Sequence, residues 1–500
     1  MESILGQNLE EHYGDRERFG KEKNNWRFSQ SSDQVDQSES RKQIPDVQLA
    51  PTKINHLATS SFADMKTHLN FQDFSCRVKV SLPSVHLANI KIRKINKKIS
   101  LNYFAFLVYC LCFLGCAATP ATITDKSGDS DLAGLLESIR IKERLPALAA
   151  AIIIEGKIYS SAAVGTRKVK TNNWVTVDDK FLIASCSKAF TATLSAVLIE
   201  KGYLKWNTTL REVYPDLEMR SEYENITLIQ LLSHRAGLPE WIYHVNSRNV
   251  TEQFIDNWWR ERDKPETMRS EYLAETVKQK LADTPGKSIY YSNSGYLMAG
   301  AMLEKATGKP FEQLMTEEIF EPMGLQTAGF GTPVKSDPHH QPIGHSGFFR
   351  SPHPKDFPEY MAPTAVICLS IIDWARFILL HLGSGENAGV ALDTDTLRTL
   401  HSPPDSATWR TGAEEKGYGI PSLNYALGWY TLNIDNKEGL LWHPGGNTGF
   451  IAEVVVDPER KNAVLVVTNV RTSHNHLFKA MNKIKEHYSP IADLPGINSQ

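Results

Sequence analysis

A serine and a lysine three positions apart, Ser185 and Lys188, are the residues of this chain best suited to covalent chemistry. They follow a short apolar segment at 181–183 and open a segment whose apolar residues recur at helical spacing, which predicts a strand-to-helix entry. Side chains three apart on a helix share a face. A partly desolvated lysine beside a helix N-terminus can lose its proton and accept one from a serine hydroxyl. The pair predicts Ser185 as nucleophile, Lys188 as base and the Ser185 N–H as an oxyanion donor.

A second motif, Tyr291-Ser292-Asn293, lies between a Pro-Gly turn and another segment of helical spacing. A phenolic oxygen close to ammonium groups has its anionic form favoured, so Tyr291 can shuttle protons. The amide of Asn293 can orient a substrate or hold Lys188. The alternative is a buried tyrosine and a loop-capping asparagine without a chemical role.

A third motif, His443-Pro444-Gly445-Gly446, ends a strand predicted at 439–442. Glycine lets a backbone approach a ligand closely, which we expect of Gly445. The N–H of Gly446 is a candidate second oxyanion donor, and His443 would carry polarity or positive charge into the cleft. The alternative is a glycine-rich strand connection with a surface histidine.

The elements that must position these motifs lie on both sides of them. Apolar runs at 148–154 and 158–164 flank Glu155-Gly156 and predict a β-hairpin with a tight turn, preceded by a helix capped by Ser130. Further strands and a terminal helix are predicted near the other end of the chain, at 427–432, 439–442, 450–456, 463–468 and 477–488.

Helical patterns and long loops dominate the region from 185 to 400. We therefore expect one α+β domain over residues 131–490, in which an antiparallel sheet formed from both ends of the domain accompanies a mostly helical insert.

In this order, the three motifs resemble those of the serine β-lactamase and penicillin-binding superfamily. The resemblance is closest to the class C β-lactamase-related branch, which includes esterases and D,D-peptidases. It implies a β-lactamase/transpeptidase-like fold and acyl transfer to Ser185, with Lys188 and Tyr291 sharing the general-base work. Further segments that resemble the family are interpreted as scaffold: Leu231-Leu232-Ser233-His234, Gly237-Leu238-Pro239, Pro322-Met323-Gly324-Leu325, Asp373-Trp374-Ala375-Arg376-Phe377 and Leu427-Gly428-Trp429.

The third motif departs from the family pattern in a way that bears on the substrate. Class C lactamases have Lys-Thr-Gly or a close variant where this chain has His443-Pro444-Gly445. A histidine is a weaker, titratable cation, so attraction for a substrate carboxylate is reduced. The sequence predicts a hydrolase of small esters, amides or peptides. The alternatives are a β-lactamase or D,D-carboxypeptidase acting on cell-wall-type substrates, and a non-catalytic penicillin-binding relative.

The first 130 residues differ from the rest in composition. Residues 1–90 are mostly polar and are expected to be disordered, and 119–130 have a linker composition. Between them, residues 91–118 form a candidate signal segment or signal anchor, in which a basic cluster precedes an uncharged apolar run at 101–118. The charge pattern places the catalytic domain outside the cytoplasm, with 101–118 in the membrane if it is not cleaved. A rival interpretation makes this region the working part of the protein.

Composition argues against several other classes. The formal net charge of −2 gives no reason to expect a nucleic-acid partner. Of the six cysteines, Cys186 and Cys368 lie in the candidate catalytic region, and no Cys-x-x-Cys pair indicates zinc. The histidines at 339, 340 and 345 fit no common metal-site spacing. We expect neither a metal nor a cofactor.

Overall fold

The computed structural model describes residues 128–239, 264–337, 340–347, 349–353, 358–383, 389–405, 407–409, 423–434, 437–447, 449–491 and 494. The predicted disordered extension at 1–90, the candidate signal segment at 91–118 and most of the predicted linker at 119–130 lie outside these residues.

A seven-stranded antiparallel sheet is the centre of the fold. Its order is β10-β11-β12-β13-β14-β1-β2, so the first two strands of the domain complete a sheet otherwise built from its last five. This arrangement confirms the predicted α+β class and the sheet formed from both ends. The strands are β1 Ala147–Ile154, β2 Lys157–Gly165, β10 Asn424–Tyr425, β11 Tyr430–Ile434, β12 Lys437–Asn447, β13 Phe450–Asp457 and β14 Asn462–Thr468.

Side-chain alternation along the central strands divides the interior into two hydrophobic cores, because successive residues of a strand point to opposite faces. In β1, Ala147, Ala149 and Ala151 belong to the core shared with the helical insert. Leu148 and Ile152 belong to the core beneath the first and last helices. Both faces of the sheet are therefore covered, and the strands are apolar on both sides.

The hairpin between β1 and β2 turns through Glu155 and Gly156, both with positive φ, which is the geometry of a two-residue type I′ turn. Glycine adopts this conformation readily. The N–H of Glu155 is bound to Oδ1 of Asn462 at 3.0 Å, which ties the turn to the neighbouring strand. The hairpin thus forms at the predicted position.

The region between β2 and β10 is mostly helical and carries short strands. The helices of the described residues, in chain order, are α1 Ser130–Glu143, α2 Ser187–Glu200, α3 Leu210–Val213, α4 Ser221–Glu224, α5 Leu228–Leu232, α6 Pro265–Thr276, α7 Asn293–Thr307, α8 Phe311–Met315, α9 Pro333–Ser336, α10 Ala362–Ala365, α11 Ile371–His381, α12 Thr394–His401 and α13 Asn475–His487. Two of these helices lie outside the region, α1 before β1 and α13 after β14. The short strands are β3 Phe181–Leu182, β4 Ser288–Ile289, β5 Gly329–Phe330, β6 His345–Ser346, β7 Ser351–Pro352, β8 Ile367–Leu369 and β9 Thr408–Trp409.

Several boundaries differ from the sequence predictions, among them the starts of α1 and β11. Helix α1 is capped by Asp129 rather than Ser130, because the Asp129 carboxylate accepts hydrogen bonds from the N–H groups of Asp131 and Leu132. Strand β11 begins at Tyr430, whereas a strand was predicted from 427, where the structure has a turn containing Gly428.

Within the described residues, no helix combines the length and apolar character needed to cross a bilayer. The apolar run at 101–118 is outside that part of the chain.

Candidate active site

Ser185 lies in a 3₁₀ turn, Ala184–Cys186, between β3 and α2. The α-helix itself begins at Ser187, so the predicted helix start at Ser185 is two residues early. Ala184 has φ of +49°, a left-handed conformation that is unfavourable for a residue with a Cβ. Such strain is found where a fold fixes a functional residue, and here it directly precedes the candidate nucleophile.

Lys188 is fully buried in the first turn of α2, and its ammonium position faces Ser185. The Nζ atom lies 3.2 Å from Ser185 Oγ, 2.8 Å from Asn293 Oδ1 and 3.1 Å from the carbonyl oxygen of Thr364. The structure therefore brings the two residues of the first motif within hydrogen-bond distance of each other.

Asn293 begins α7 and joins the second motif to the first. Its Oδ1 accepts from Lys188 and also from the Thr364 hydroxyl, at 2.6 Å. Two donors on the same atom identify it as the oxygen of the amide. Thr364, on α10, fixes Lys188 through its carbonyl and Asn293 through its hydroxyl.

Tyr291 lies on the approach to α7, half-buried, with the centre of its ring 4.9 Å from Lys188 Nζ. The buried ring of His234 packs against it, with centroids 4.3 Å apart. Nδ1 of His234 accepts a hydrogen bond from the N–H of Ser292 at 3.0 Å, which holds the loop carrying the second motif. This placement agrees with the interpretation of the Leu231-Leu232-Ser233-His234 segment as scaffold.

His443 is fully buried in β12, and both of its ring nitrogens have partners. Nδ1 lies 2.7 Å from the carbonyl oxygen of Pro444, so Nδ1 is the donor. Nε2 therefore accepts from the Tyr425 hydroxyl, at 2.9 Å. Burial, with a contribution from nearby Lys188, lowers the pKa of His443 to about 3. Of the two expected contributions, polarity or positive charge, the positive charge does not apply, because the imidazole is neutral at physiological pH.

The glycines of the third motif lie within β12, which continues to Asn447 and does not end at 442 as predicted. A Cβ added to Gly445 would lie 2.2 Å from the carbonyl oxygen of Ile183, so glycine is required for the strand to pack on the Ser185 turn. The Cys186 thiol also donates to the His443 carbonyl oxygen at 3.3 Å. Gly446 follows and is exposed to solvent.

The turn before β11 supports the site from behind. Gly428 has φ of +80°, and a Cβ there would lie 2.8 Å from the carbonyl oxygen of Lys188. The Leu427-Gly428-Trp429 segment therefore packs directly on the first turn of α2, in keeping with its interpretation as scaffold.

Three contributors were missed from the sequence. Thr364 acts partly through a backbone carbonyl, which no motif marks. Tyr425 lies two residues before the Leu427-Gly428-Trp429 segment, and this proximity could have indicated that Tyr425 contacts the site. The third is a Glu453–His474 pair beside Gly446, signalled by a glutamate in the interior of β13, where the neighbouring residues are apolar up to the final Asp457.

The arrangement provides a hydroxyl, an amine held by two accepting oxygens, a phenol and an exposed strand backbone. It resembles a nucleophile with its base, not a metal centre. Among the described residues, no group of three or more His, Cys, Asp or Glu is placed to hold a metal ion.

Comparison with known proteins identifies relatives of this chain. Protein flp of Staphylococcus aureus (strain MW2) is 23% identical over 343 residues, covering 67% of this chain and 61% of that protein. Unguisins hydrolase ungD' of Aspergillus campestris (strain IBT 28561) is 25% identical over 378 residues, covering 72% of this chain and 65% of that protein. The chain thus spans less than two thirds of the length of either relative.

Solved structures share the fold at lower sequence identity. The octameric penicillin-binding protein homologue from Pyrococcus abyssi superposes with a TM-score of 0.57 at 20% identity, covering 73% of this chain and 79% of that chain. SurE superposes with a TM-score of 0.57 at 19% identity, covering 74% and 77%.

The Beta-lactamase family model matches residues 131–486, which contain all three motifs and every strand of the central sheet. This match takes in well over half of the chain, and the fold agrees with it. The protein therefore belongs to the Beta-lactamase family.

Proposed function

We propose that this protein hydrolyses esters or amides through an acyl-enzyme formed on Ser185. The observation that carries the proposal is the 3.2 Å separation of Lys188 Nζ and Ser185 Oγ, with the lysine fully buried. A nucleophile within hydrogen-bond reach of a base, which a third group orients, is the arrangement expected of covalent catalysis. Asn293 is the orienting group here.

The contacts of Lys188 suit it to accept a proton. Asn293 Oδ1 and the Thr364 carbonyl oxygen are acceptors, so they pair with the two hydrogens of a neutral amine. The lone pair can then face the hydroxyl of Ser185. As Oγ attacks the substrate carbonyl carbon, its proton passes to Nζ. That proton leaves with the alkoxide or amine when the bond to the leaving group breaks.

The remaining residues have roles in the same two steps. The N–H groups of Ser185 and Gly446 donate hydrogen bonds that stabilise the negative charge developing on the carbonyl oxygen. Tyr291, next to Lys188, shares the proton transfers, and Asn293 holds Lys188. The buried His443, bound to Pro444 and Tyr425, acts on the substrate through the position of β12 and through its lack of charge. In the second step, water attacks the acyl group, Ser185 recovers a proton, and the carboxylic acid is released.

The neutral state of His443 favours uncharged substrates over β-lactams. A lysine at this position would offer a permanent cation to a substrate carboxylate, whereas a histidine with a pKa of about 3 offers none at neutral pH. We therefore expect short-chain acyl esters to be hydrolysed faster than penicillins or cephalosporins. A relative named as a hydrolase of unguisins supports a hydrolytic reaction.

Labelling and kinetics test the proposal together. A fluorophosphonate probe should modify Ser185, as located by peptide mapping, and Ser185→Ala should abolish both labelling and turnover. A label on another serine of active protein, or activity retained by Ser185→Ala, would exclude this nucleophile. A kcat/KM for a cephalosporin clearly above that of every short ester tested would favour a lactamase.

We further propose that the catalytic region is exported or tethered outside the cytoplasm by the segment at 91–118. The support is the sequence itself, in which a basic cluster precedes an uncharged apolar run at 101–118. Full-length protein should fractionate with membranes and a 119–500 fragment with the soluble material. Full-length protein found wholly in the cytosolic fraction would contradict this.

A further inference from the structure

A buried carboxylate and a histidine form a pair beside the candidate oxyanion strand. Glu453, on β13, is fully buried, and its Oε1 is in contact with Nδ1 of His474. Its other oxygen accepts from Trp442 Nε1 at 2.8 Å. Both carboxylate oxygens are thus engaged, which fixes the direction in which the imidazole of His474 points.

The free side of that imidazole faces the third motif. Nε2 of His474 lies 3.5 Å from where a Cβ of Gly446 would stand. Gly446 is exposed, and the side chain of His474 keeps 30% of its surface open to solvent. The Glu453–His474 pair therefore borders the same surface as the N–H proposed to bind the oxyanion.

The charge of the pair follows from the number of protons it holds. When a neutral imidazole donates its single Nδ1 proton to the ionised carboxylate the net charge is −1, and with one further proton on the pair it is zero. A charge of +1 requires a neutral carboxyl next to an imidazolium, and in that state the Coulomb attraction between carboxylate and imidazolium is lost. The rim beside Gly446 is therefore neutral or negative, although a histidine is exposed there.

We propose that the Glu453–His474 pair is a specificity element of the Ser185 site. It disfavours substrates with a carboxylate next to the scissile bond and favours neutral or cationic ones. The inference rests on the proposed acyl-enzyme function and adds a second, independent source of discrimination to neutral His443.

Three fluorophosphonates of equal, short tail length test the proposal, with tails ending in methyl, carboxylate or trimethylammonium. The measured quantity is the ratio of Ser185 labelling rates, carboxylate over trimethylammonium. This ratio should be below one in the wild type. In Glu453→Gln it should rise about 25-fold, because removing one charge some 4 Å away in water changes each of the two rates about fivefold and in opposite directions. Because all probes report on the same folded molecules, partial unfolding cancels in the ratio.

Glu143→Gln is the matched control. Glu143, the last residue of α1, pairs with His476 of α13 at 2.6 Å, so this carboxylate does not come from the central sheet. This variant should keep the wild-type ratio. If Glu453→Gln does not fold, His474→Arg places a permanent cation beside the carboxylate and should likewise raise the ratio.

The outcomes separate the two proposals. Ser185 labelling with the same ratio in wild type and Glu453→Gln overturns the specificity role and leaves the nucleophile in place. Failure of all three probes to label Ser185 overturns the proposed function, and the specificity element with it.

Discussion

Lys188 Nζ donates to Asn293 Oδ1 at 2.8 Å, which joins the first turn of α2 to the first residue of α7. The two motifs are 105 residues apart in sequence, yet they meet at this one hydrogen bond. The position of the base therefore depends on a residue from another helix as well as on its own backbone.

Replacing Lys188 with methionine should lower kcat by about 10²–10⁴-fold, the usual effect of losing a general base. Methionine fills the buried space with a side chain of similar length, so the midpoint of thermal unfolding should change little. Steady-state kinetics and a thermal melt measure the two effects. A variant that keeps a near wild-type rate while Ser185→Ala is inactive would place the base elsewhere.

Asn293→Ala should reduce both stability and activity, because it leaves the buried Lys188 amine and Thr364 hydroxyl without their shared acceptor. The free energy of unfolding should fall by about 1–3 kcal/mol, the cost of an unsatisfied buried group. Urea denaturation measures this, and kcat should fall while KM changes less. The exposed Asn207 serves as the control, since Asn207→Ala should alter neither quantity. Equal behaviour of the two variants would argue against the role of Asn293.

Gly428→Ala should be far more damaging than Gly439→Ala, although both glycines have positive φ. A Cβ at Gly428 would lie 2.8 Å from the Lys188 carbonyl oxygen, whereas nothing lies within 4 Å of one at Gly439. Gly439→Ala, the control, should lower the free energy of unfolding by about 1–2 kcal/mol, because alanine is strained in the left-handed conformation. Gly428→Ala should lose more and also lower kcat, because the start of α2 must move. Equal losses in the two variants would contradict the packing role of the turn.

Stability should fall in mild acid because of the histidine pair formed by the buried His381 and the half-buried His401. Nδ1 of His381 and Nε2 of His401 are 2.9 Å apart, and burial lowers the pKa of His401 from 6.5 to about 4. Below pH 6.5 the unfolded chain binds a proton that the folded chain does not, so stability is lost between about pH 6.5 and 4. Above pH 6.5 this histidine pair does not make stability depend on pH.

His401→Gln should remove part of this acid sensitivity while keeping a hydrogen bond to His381. Urea denaturation at pH 7 and pH 4.5 should show the variant losing about 1–3 kcal/mol less than the wild type on acidification. Parallel losses in the two proteins would show that the acid effect comes from other groups.

The sequence predicted best where one physical rule decides the structure locally. The β1–β2 hairpin follows from two apolar runs and a Glu155-Gly156 turn, and it lies where predicted. The sequence prediction ended β12 too early because a proline, here Pro444, is rare in the interior of a sheet. In the described ladders β12 pairs with β11 only up to Trp442, and past it with β13 alone, so the proline is tolerated there.

The motifs of the site could be predicted, but their surroundings could not. Spacing along a helix brought Ser185 and Lys188 together without knowledge of the fold. The contributions of Thr364 and His474 depend on tertiary contacts between segments far apart in sequence. The neutral state of His443 likewise depends on complete burial and a Tyr425 contact that only the folded structure reveals.

The pairing of β1 with β14 joins residues such as Ala149 and Val467, which are more than 300 positions apart in the chain. During synthesis on the ribosome, the β1–β2 hairpin emerges long before the strand that must lie beside it. Until then one edge of the hairpin is open to pairing with other chains. Folding that depends on such distant contacts is slow, and it exposes apolar surface in the meantime. We therefore expect the newly made protein to depend on chaperones until β14 has been translated, and aggregation to begin at the β1 edge when they are limiting.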